Sequence, residues 1–213
     1  MKYLKIYGLQ RSGTNYLKWL LEQNFDVFVL QNFLGLKHGR VEFLRDNEEI
    51  HLDLRFCTLT PEQKKEIRQI EVPRIAIRKN LYAWMVSFYK YQRFNWNKNY
   101  KKIINAWIEA DRHYQQYCTV YNYIDLLTKP VSMLMFSESV FELKRRNKNF
   151  ILSCDRTMPR GGDDHSDSWS TKYDNKPFGA DYYINKLYMK EIPILDKINE
   201  YLIEIQADDF KEI

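Results

Sequence analysis

A glycine-containing turn near the start of the sequence joins a short apolar run to an amphipathic segment. Residues 3–7 (YLKIY) predict a strand, and residues 26–30 (DVFVL) predict a second strand. Between them, apolar side chains recur about every fourth position over residues 14–24, which predicts a helix. A strand, a crossover helix and a second strand form a βαβ unit, and this unit requires parallel strands. The chain is therefore predicted to be an α/β protein with a central, mostly parallel sheet flanked by helices.

The remainder of the sequence continues this alternation without an internal repeat or a linker, so residues 1–213 are predicted to form a single domain. The helix that follows Thr60 begins with a Thr cap, a Pro at the first position and a Gln at the third. This helix is predicted to end before Pro73. Further helices are predicted over 81–89, over 101–118 and over two segments that close the chain. Further strands are predicted over 51–56, 74–78, 119–124 and 150–153, and a long loop over 155–176.

The composition narrows the classes of ligand and compartment. The 33 Lys and Arg residues exceed the 28 Asp and Glu residues, which gives a net charge of +5 and favours an anionic ligand. Because these charges are scattered, nucleic acid is not a predicted partner. The three cysteines are odd in number and form no CxxC pair, which predicts a reducing, cytoplasmic location without structural zinc. The apolar runs are far shorter than the ~20 residues that a membrane-spanning helix needs, so no membrane span is predicted.

The turn itself has the spacing of a phosphate-binding loop. Gly8 and Gly13 are separated by four residues, as in the first half of the Walker A pattern, and such glycines let backbone amides surround a phosphate at a helix N-terminus. A nucleotide hydrolase would continue with Lys and Ser/Thr, whereas this chain has Thr14 and Asn15. The cation lies inside the loop, at Arg11. The loop is thus predicted to hold a phosphate but not a magnesium-bound triphosphate; the alternative is an ordinary βα turn that needs glycine.

The segment GLQRSGTNYLKWLL resembles the 5′-phosphosulfate loop of sulfotransferases, which use 3′-phosphoadenosine 5′-phosphosulfate (PAPS) as donor. The resemblance implies a three-layer, P-loop-like fold. It also implies that Arg11 faces the transferring sulfuryl group and its bridging oxygen. The 5′-phosphate would then be held by Ser12, Gly13, Thr14 and Asn15.

A second segment is similar to the 3′-phosphate element of the same family, which has a basic residue, Asn-Pro, and a Ser eight positions after the basic residue. Lys79 and Ser87 have this spacing, and Asn80 matches the Asn. Leu81 stands where the family has Pro. The adjacent Arg78 leaves two candidates for the cation that meets the 3′-phosphate.

Two weaker similarities follow later in the chain. Residues 123–127 (YIDLL) are similar to the family's Tyr-Glu-Asp-Leu segment, although Ile124 replaces the acidic residue, and Asp125 is expected to cap a helix. Residues 158–162 (MPRGG) are similar to the family's late basic and glycine-containing loop. The resemblance there makes Arg160 a candidate for the 3′-phosphate.

Transfer to a hydroxyl group needs a base, which contributes ~10²–10⁴-fold to the rate. His38 lies between glycines in the segment GLKHG after the second strand and is the best candidate; the alternative is a surface histidine, with Glu42 as the nearest substitute base. The aromatic residues between positions 88 and 107 are mixed with Lys and Arg. They predict either an acceptor platform or a half-buried helical hairpin.

The resemblance implies a PAPS-dependent sulfotransferase that moves a sulfuryl group to an acceptor hydroxyl, on a glycan or a small molecule, without a metal. Its partners would be the nucleotide co-substrate and that acceptor. Two alternatives stay open: a nucleoside or nucleotide kinase-like enzyme, and a non-catalytic nucleotide-binding protein of the same fold. The missing Walker lysine and the lack of a Walker B strand-Asp disfavour the kinase.

Overall fold

The computed structural model describes residues 1–31, 33–35, 37–39, 59–152 and 180–211. The strand predicted over 51–56, the loop predicted over 155–176, Glu42 and Arg160 lie outside these residues.

Four strands and eight α-helices make up the described part of the chain. The strands are β1 (Lys2–Tyr7), β2 (Val27–Leu30), β3 (Arg74–Arg78) and β4 (Thr119–Asn122). The helices are α1 (Thr14–Asn24), α2 (Pro61–Ile67), α3 (Leu81–Gln92), α4 (Trp96–Tyr117), α5 (Tyr123–Thr128), α6 (Pro130–Val140), α7 (Ala180–Ile184) and α8 (Leu195–Glu204). Short 3₁₀ turns span Leu187–Glu191 and Asp208–Phe210. None of the described helices is both long and apolar enough to cross a membrane.

The strands form one parallel sheet in the order β2-β1-β3-β4, with helices on both faces. Alternation along β1 divides the core, because successive side chains of a strand point to opposite faces. Leu4 and Ile6 pack in a cluster with residues of α1, α5 and α6, whereas Tyr7 packs with Tyr114 of α4 on the other face. The predicted α/β fold, with a parallel sheet between two helical layers, is confirmed.

Helix α2 begins as its sequence predicts. The Thr60 hydroxyl accepts a hydrogen bond from the Gln63 amide at 3.3 Å, and the Gln63 side chain accepts one from the Thr60 amide at 2.9 Å. This reciprocal pair satisfies two amides that the helix itself leaves unpaired.

The strand predicted over 150–153 is wrong, because residues 150–152 are not in a strand. The side chain of Asn24, at the end of α1, accepts a hydrogen bond from the Ile151 amide at 2.6 Å and donates one to the Ile151 carbonyl at 2.9 Å. These backbone groups are therefore satisfied by a helix end rather than by a neighbouring strand. The strand predicted over 119–124 is also too long, since α5 begins at Tyr123.

Candidate functional site

The candidate site lies where the strand order reverses. The strand β2 lies on one side of β1, whereas β3 and then β4 lie on the other side. The connections that follow β1 and β3 therefore run to opposite sides of the sheet. In open parallel sheets, ligands bind beyond the carboxyl ends of the strands at such a switch point. The loop over residues 8–13 follows β1, and Lys79 follows β3, so both lie there.

The loop depends on glycine at its last position. Gly13 precedes α1 with a φ angle of 103°, and a Cβ atom at this position would lie 2.6 Å from the Tyr123 ring. Gly13 has no side chain that could cap the helix, so the cap residue does not compete with an anion for the first-turn amides of α1. The indole nitrogen of Trp84 donates a hydrogen bond to the Gln10 carbonyl at 2.8 Å and ties the loop to α3.

Arg11 occupies the left-handed region of backbone conformation, with a φ angle of 68°. This conformation costs a residue with a side chain about 1–2 kcal/mol. The guanidinium is exposed and lies 5.4 Å from the centre of the Tyr91 ring. No carboxylate in the described residues forms an ion pair with Arg11. The loop therefore presents a cation that no carboxylate of the described residues neutralises.

Lys79 is a second cation without an acidic partner in the described residues. Its side chain is only 6 % exposed, and Nζ donates hydrogen bonds to the Ser87 hydroxyl at 3.2 Å and the Tyr183 hydroxyl at 3.4 Å. Nζ also lies 4.3 Å from the centre of the Tyr123 ring. Burial, and then the nearby Arg11 charge, lower the pKa of Lys79 to about 7. An anion bound at this position would restore the charge of the amine.

Arg78, the other candidate cation of this turn, is already neutralised. Its Nε lies 2.8 Å from a carboxylate oxygen of Asp111, and its guanidinium lies 5.6 Å from the centre of the Trp107 ring. Burial raises the pKa of Asp111, an effect that the Arg78 charge opposes. Of the two adjacent cations, Lys79 is thus the one without a carboxylate partner among the residues that the structure describes.

His38 lies against the base of the loop. Its Nδ1 is 2.6 Å from the Gly8 carbonyl oxygen, and the Gly8 amide donates to the Lys37 carbonyl at 2.9 Å. A carbonyl can only accept, so Nδ1 carries the proton of the neutral ring and Nε2 keeps a lone pair. Burial lowers the pKa of His38, and the Lys37 and Lys5 charges lower it further, against the effect of the Gly8 bond. The ring is therefore neutral near pH 7 and has one basic nitrogen.

Buried Lys5 holds the backbone around His38. Its ammonium donates to the Gly35 carbonyl at 2.6 Å and to the Gln31 carbonyl, and it lies 4.8 Å from the centre of the Tyr7 ring. No sequence pattern indicates this role, because a lysine in the middle of a short apolar run is interpreted as an interruption of that run.

The side chains predicted to contact the 5′-phosphate are either hydrogen-bonded within the protein or buried. Asn15 Oδ1 accepts hydrogen bonds from Lys37 Nζ at 2.8 Å and from the Gln31 amide nitrogen at 3.1 Å. The Ser12 hydroxyl is buried without a hydrogen-bond partner in the described residues, and Ser12 lines a cavity of about 10 Å³, roughly the space that admits one water molecule. Thr14 is also buried. These residues can offer a phosphate their backbone amides, with Lys37 as an additional cation beside α1.

Two expectations about neighbouring segments are settled by the geometry. Asp125 does not cap α5: the cap residue is Asn122, and its side-chain amide donates to the Asp125 carboxylate at 3.2 Å. The aromatic segment forms a helical hairpin, in which Phe88 stacks on Trp84 and Phe94 packs edge-on against Trp96. The segment therefore forms the predicted helical hairpin, while the acceptor platform stays a prediction.

Comparison of the chain with family models, with curated proteins and with solved structures finds no match. The functional interpretation therefore rests on the geometry of the site. That geometry combines a helix N-terminus, two cations without acidic partners in the described residues and a neutral imidazole.

Proposed function

We propose that this chain is a sulfotransferase that transfers a sulfuryl group from PAPS to a hydroxyl group of an acceptor. The observation that carries the proposal is the contact between Lys79 and Ser87, which stand eight residues apart and meet beside the Arg11 loop. One nucleotide with phosphates at both its 5′ and 3′ positions would engage the two groups of cations together.

The 5′ end of the donor would be bound by the loop and by α1. Backbone amides at the start of α1 suit a phosphate, and the side chain of Arg11 suits the negative charge that grows on the oxygen between phosphorus and sulfur as the S–O bond breaks. Sulfuryl transfer resembles phosphoryl transfer, an in-line displacement with charge spread over the equatorial oxygens. Fixed cations can supply this stabilisation without a metal ion.

The 3′-phosphate would be bound by Lys79 and Ser87. A buried ammonium without a carboxylate in the described residues is costly when charged, and a phosphate dianion would provide both a counter-charge and acceptors for its N–H groups. Arg78 is a poorer candidate, because its bond to Asp111 would have to be broken first.

His38 would act as the base. Its protonated Nδ1 is oriented by the Gly8 carbonyl, so Nε2 would accept the proton of the acceptor hydroxyl as the new S–O bond forms. The acceptor oxygen thus gains the sulfuryl group, the nucleotide leaves as adenosine 3′,5′-bisphosphate, and the proton passes to the imidazole. Because the three cysteines are odd in number and form no CxxC pair, we assign the activity to the cytoplasm.

The Asn15 contacts weigh against the kinase alternative. A magnesium-dependent kinase loop needs a hydroxyl at this position to hold the metal, whereas the Asn15 side-chain oxygen already accepts from the Lys37 ammonium. A cation at this place repels Mg²⁺.

The proposal is tested by the thermal shift that nucleotides produce in EDTA. Adenosine 3′,5′-bisphosphate should raise Tm equally with and without Mg²⁺, since a ligand that binds only the folded chain stabilises it by mass action. ATP should have little effect with Mg²⁺ present. Release of the bisphosphate from PAPS, measured with phenol, sterol and sugar acceptors, then tests catalysis.

A stabilisation that requires Mg²⁺, or one produced by MgATP alone, would refute the sulfotransferase in favour of the kinase. Metal-independent binding without release of the bisphosphate in the presence of any acceptor would identify the non-catalytic binding protein instead.

A further inference from the structure

Helix α6 presents an apolar face to solvent. Its buried residues, Leu134 and Ser137, point towards the sheet, and the Ser137 hydroxyl lies 2.7 Å from the Tyr121 hydroxyl. The opposite side of the helix carries four large apolar side chains that are between 43 and 54 % exposed, namely Val131, Met135, Phe136 and Val140. At 100° per residue these four span half of the helix circumference, with Ser132 and Ser139 between them. Contiguous apolar surface of this kind marks a binding surface more often than scattered apolar residues do.

This face carries no net charge. The charged residue of α6 is Glu138, and Arg145 forms an ion pair with it, with Arg145 Nε 2.6 Å from one carboxylate oxygen. A two-pronged contact between a guanidinium and a carboxylate fixes both groups and neutralises them.

Unpaired lysines flank the helix at both ends. Lys129 precedes α6, and Lys144 and Lys148 follow it; all three are exposed, and no carboxylate in the described ranges pairs with them. A backbone hydrogen bond to the start of β2 holds the segment that carries Lys144 and Lys148. The Asp26 amide donates to the Lys144 carbonyl at 2.8 Å, beside the amino end of β2. The basic segment therefore lies at the opposite edge of the sheet from the candidate site.

We infer that α6 and these flanking lysines, together the α6 surface, dock on an anionic lipid membrane. An apolar helix face with cations beside it suits the boundary between headgroups and acyl chains, where apolar burial and attraction to anionic lipid act together. The α6 surface shares no residue with the candidate site, so docking is independent of the proposed function.

Charge and shape favour a lipid membrane over a second copy of the chain and over an acidic protein. In a symmetric pair of antiparallel α6 helices, Lys129 of one copy would approach Lys144 and Lys148 of the other, so like charges would face each other. An acidic protein would satisfy the lysines, but the convex face between them offers only two serine hydroxyls for directional contacts. A fluid lipid surface needs neither a groove nor hydrogen-bond partners.

The experiment is co-sedimentation of the full chain with vesicles of phosphatidylcholine alone and with about 30 mol % phosphatidylserine. The expected result is binding to the second kind only, weakened when salt is raised from about 0.1 to about 0.5 M. Lys144→Gln with Lys148→Gln should lower the partition coefficient roughly twenty- to thirtyfold. Val131→Thr with Met135→Gln and Val140→Thr, which nearly preserve side-chain volume, should lower it at least tenfold.

Matched controls change exposed residues elsewhere: Lys65→Gln with Lys102→Gln for charge, and Ile203→Ser for an exposed apolar side chain. These controls should bind as the unaltered chain does, and circular dichroism should show that every variant is folded. Absence of binding, equal binding to neutral vesicles, or equal losses in variants and controls would overturn the inference. A dimer in analytical sedimentation that dissociates in the α6 variants would also overturn it. Binding of an acidic peptide without binding of vesicles would do the same.

Discussion

At the scale of single residues, the pairing of Lys79 with Ser87 makes a sharp prediction about ligand selectivity. Lys79→Gln should weaken adenosine 3′,5′-bisphosphate but leave adenosine 5′-phosphosulfate, which lacks the 3′-phosphate, nearly unchanged. A charge-assisted hydrogen bond is worth ~1.5–3 kcal/mol, so the loss should be about 10- to 150-fold in Kd by calorimetry. Lys102→Gln, an exposed lysine on α4, is the matched control. Equal losses for both nucleotides, or a selective loss in Arg78→Gln instead, would contradict the assignment.

His38 makes a prediction about the pH dependence of turnover. Because burial and two neighbouring lysines lower its pKa, the acidic limb of the kcat/KM profile should have its midpoint below the ~6.5 of a free imidazole. His38→Asn should remove this limb and reduce turnover while the affinity for nucleotide stays the same. His113→Asn, on α4, should keep the profile of the unaltered chain. If the pH profile of kcat/KM were unchanged in His38→Asn, the base would be a carboxylate instead.

The sequence predicts which residues lie together where the signal is local. Lys79 and Ser87 belong to one strand–turn–helix segment, so their spacing alone brings them together. Tyr183, which contacts the same ammonium, comes from a short helix 104 residues away, and no nearby pattern marks it. The neutralisation of Arg78 by Asp111 also depends on how α4 packs, which the sequence pattern of either residue does not contain.

At the scale of elements, the junction between the loop and α1 should tolerate no side chain at Gly13. Gly13→Ala should destabilise the fold and abolish nucleotide binding, because the new methyl group would overlap the Tyr123 ring. Gly35→Ala is a matched control: its φ angle of 101° carries the same strain, ~1–2 kcal/mol, but the nearest atom is 3.4 Å away. Chemical denaturation and calorimetry should show the larger loss of stability, and the loss of binding, in Gly13→Ala alone. Equal losses would mean that only the backbone angle matters.

Elements were predictable where the chain itself supplies their ends. The strand β3 follows Pro73 and was predicted at its observed bounds, and α2 carries its own capping residues. Helix α4 begins at Trp96, before the predicted position, because Asn95 caps it by accepting from the Lys98 amide at 3.1 Å. Residues 150–152 do not form the predicted strand, because Asn24, distant in sequence, bonds the backbone amide and carbonyl of Ile151 at their centre. The periodicity of apolar residues indicates which side chains are buried, but it does not identify the segment that bonds their backbone.

At the scale of the whole molecule, buried Lys79 links folding stability to pH. Burial and Arg11 lower its pKa to about 7 in the fold, whereas the unfolded chain holds it near 10.4. Between these values the unfolded chain binds more protons, so the free energy of unfolding rises with pH, by up to about 1.4 kcal/mol per unit. Urea denaturation between about pH 7 and 9 should show this rise relative to Lys79→Met. Parallel curves for the two proteins would contradict it.

The contact of Tyr183 with Lys79 has a consequence for how the protein is made. The lysine leaves the ribosome 104 residues before the tyrosine, a delay of about 5–20 s at ordinary rates of synthesis. During this interval the β1–β3 pair can form, but the Lys79 ammonium lacks the contact that Tyr183 provides in the complete fold. The growing chain therefore carries a less shielded cation beside the glycine-containing loop until the last helices are made.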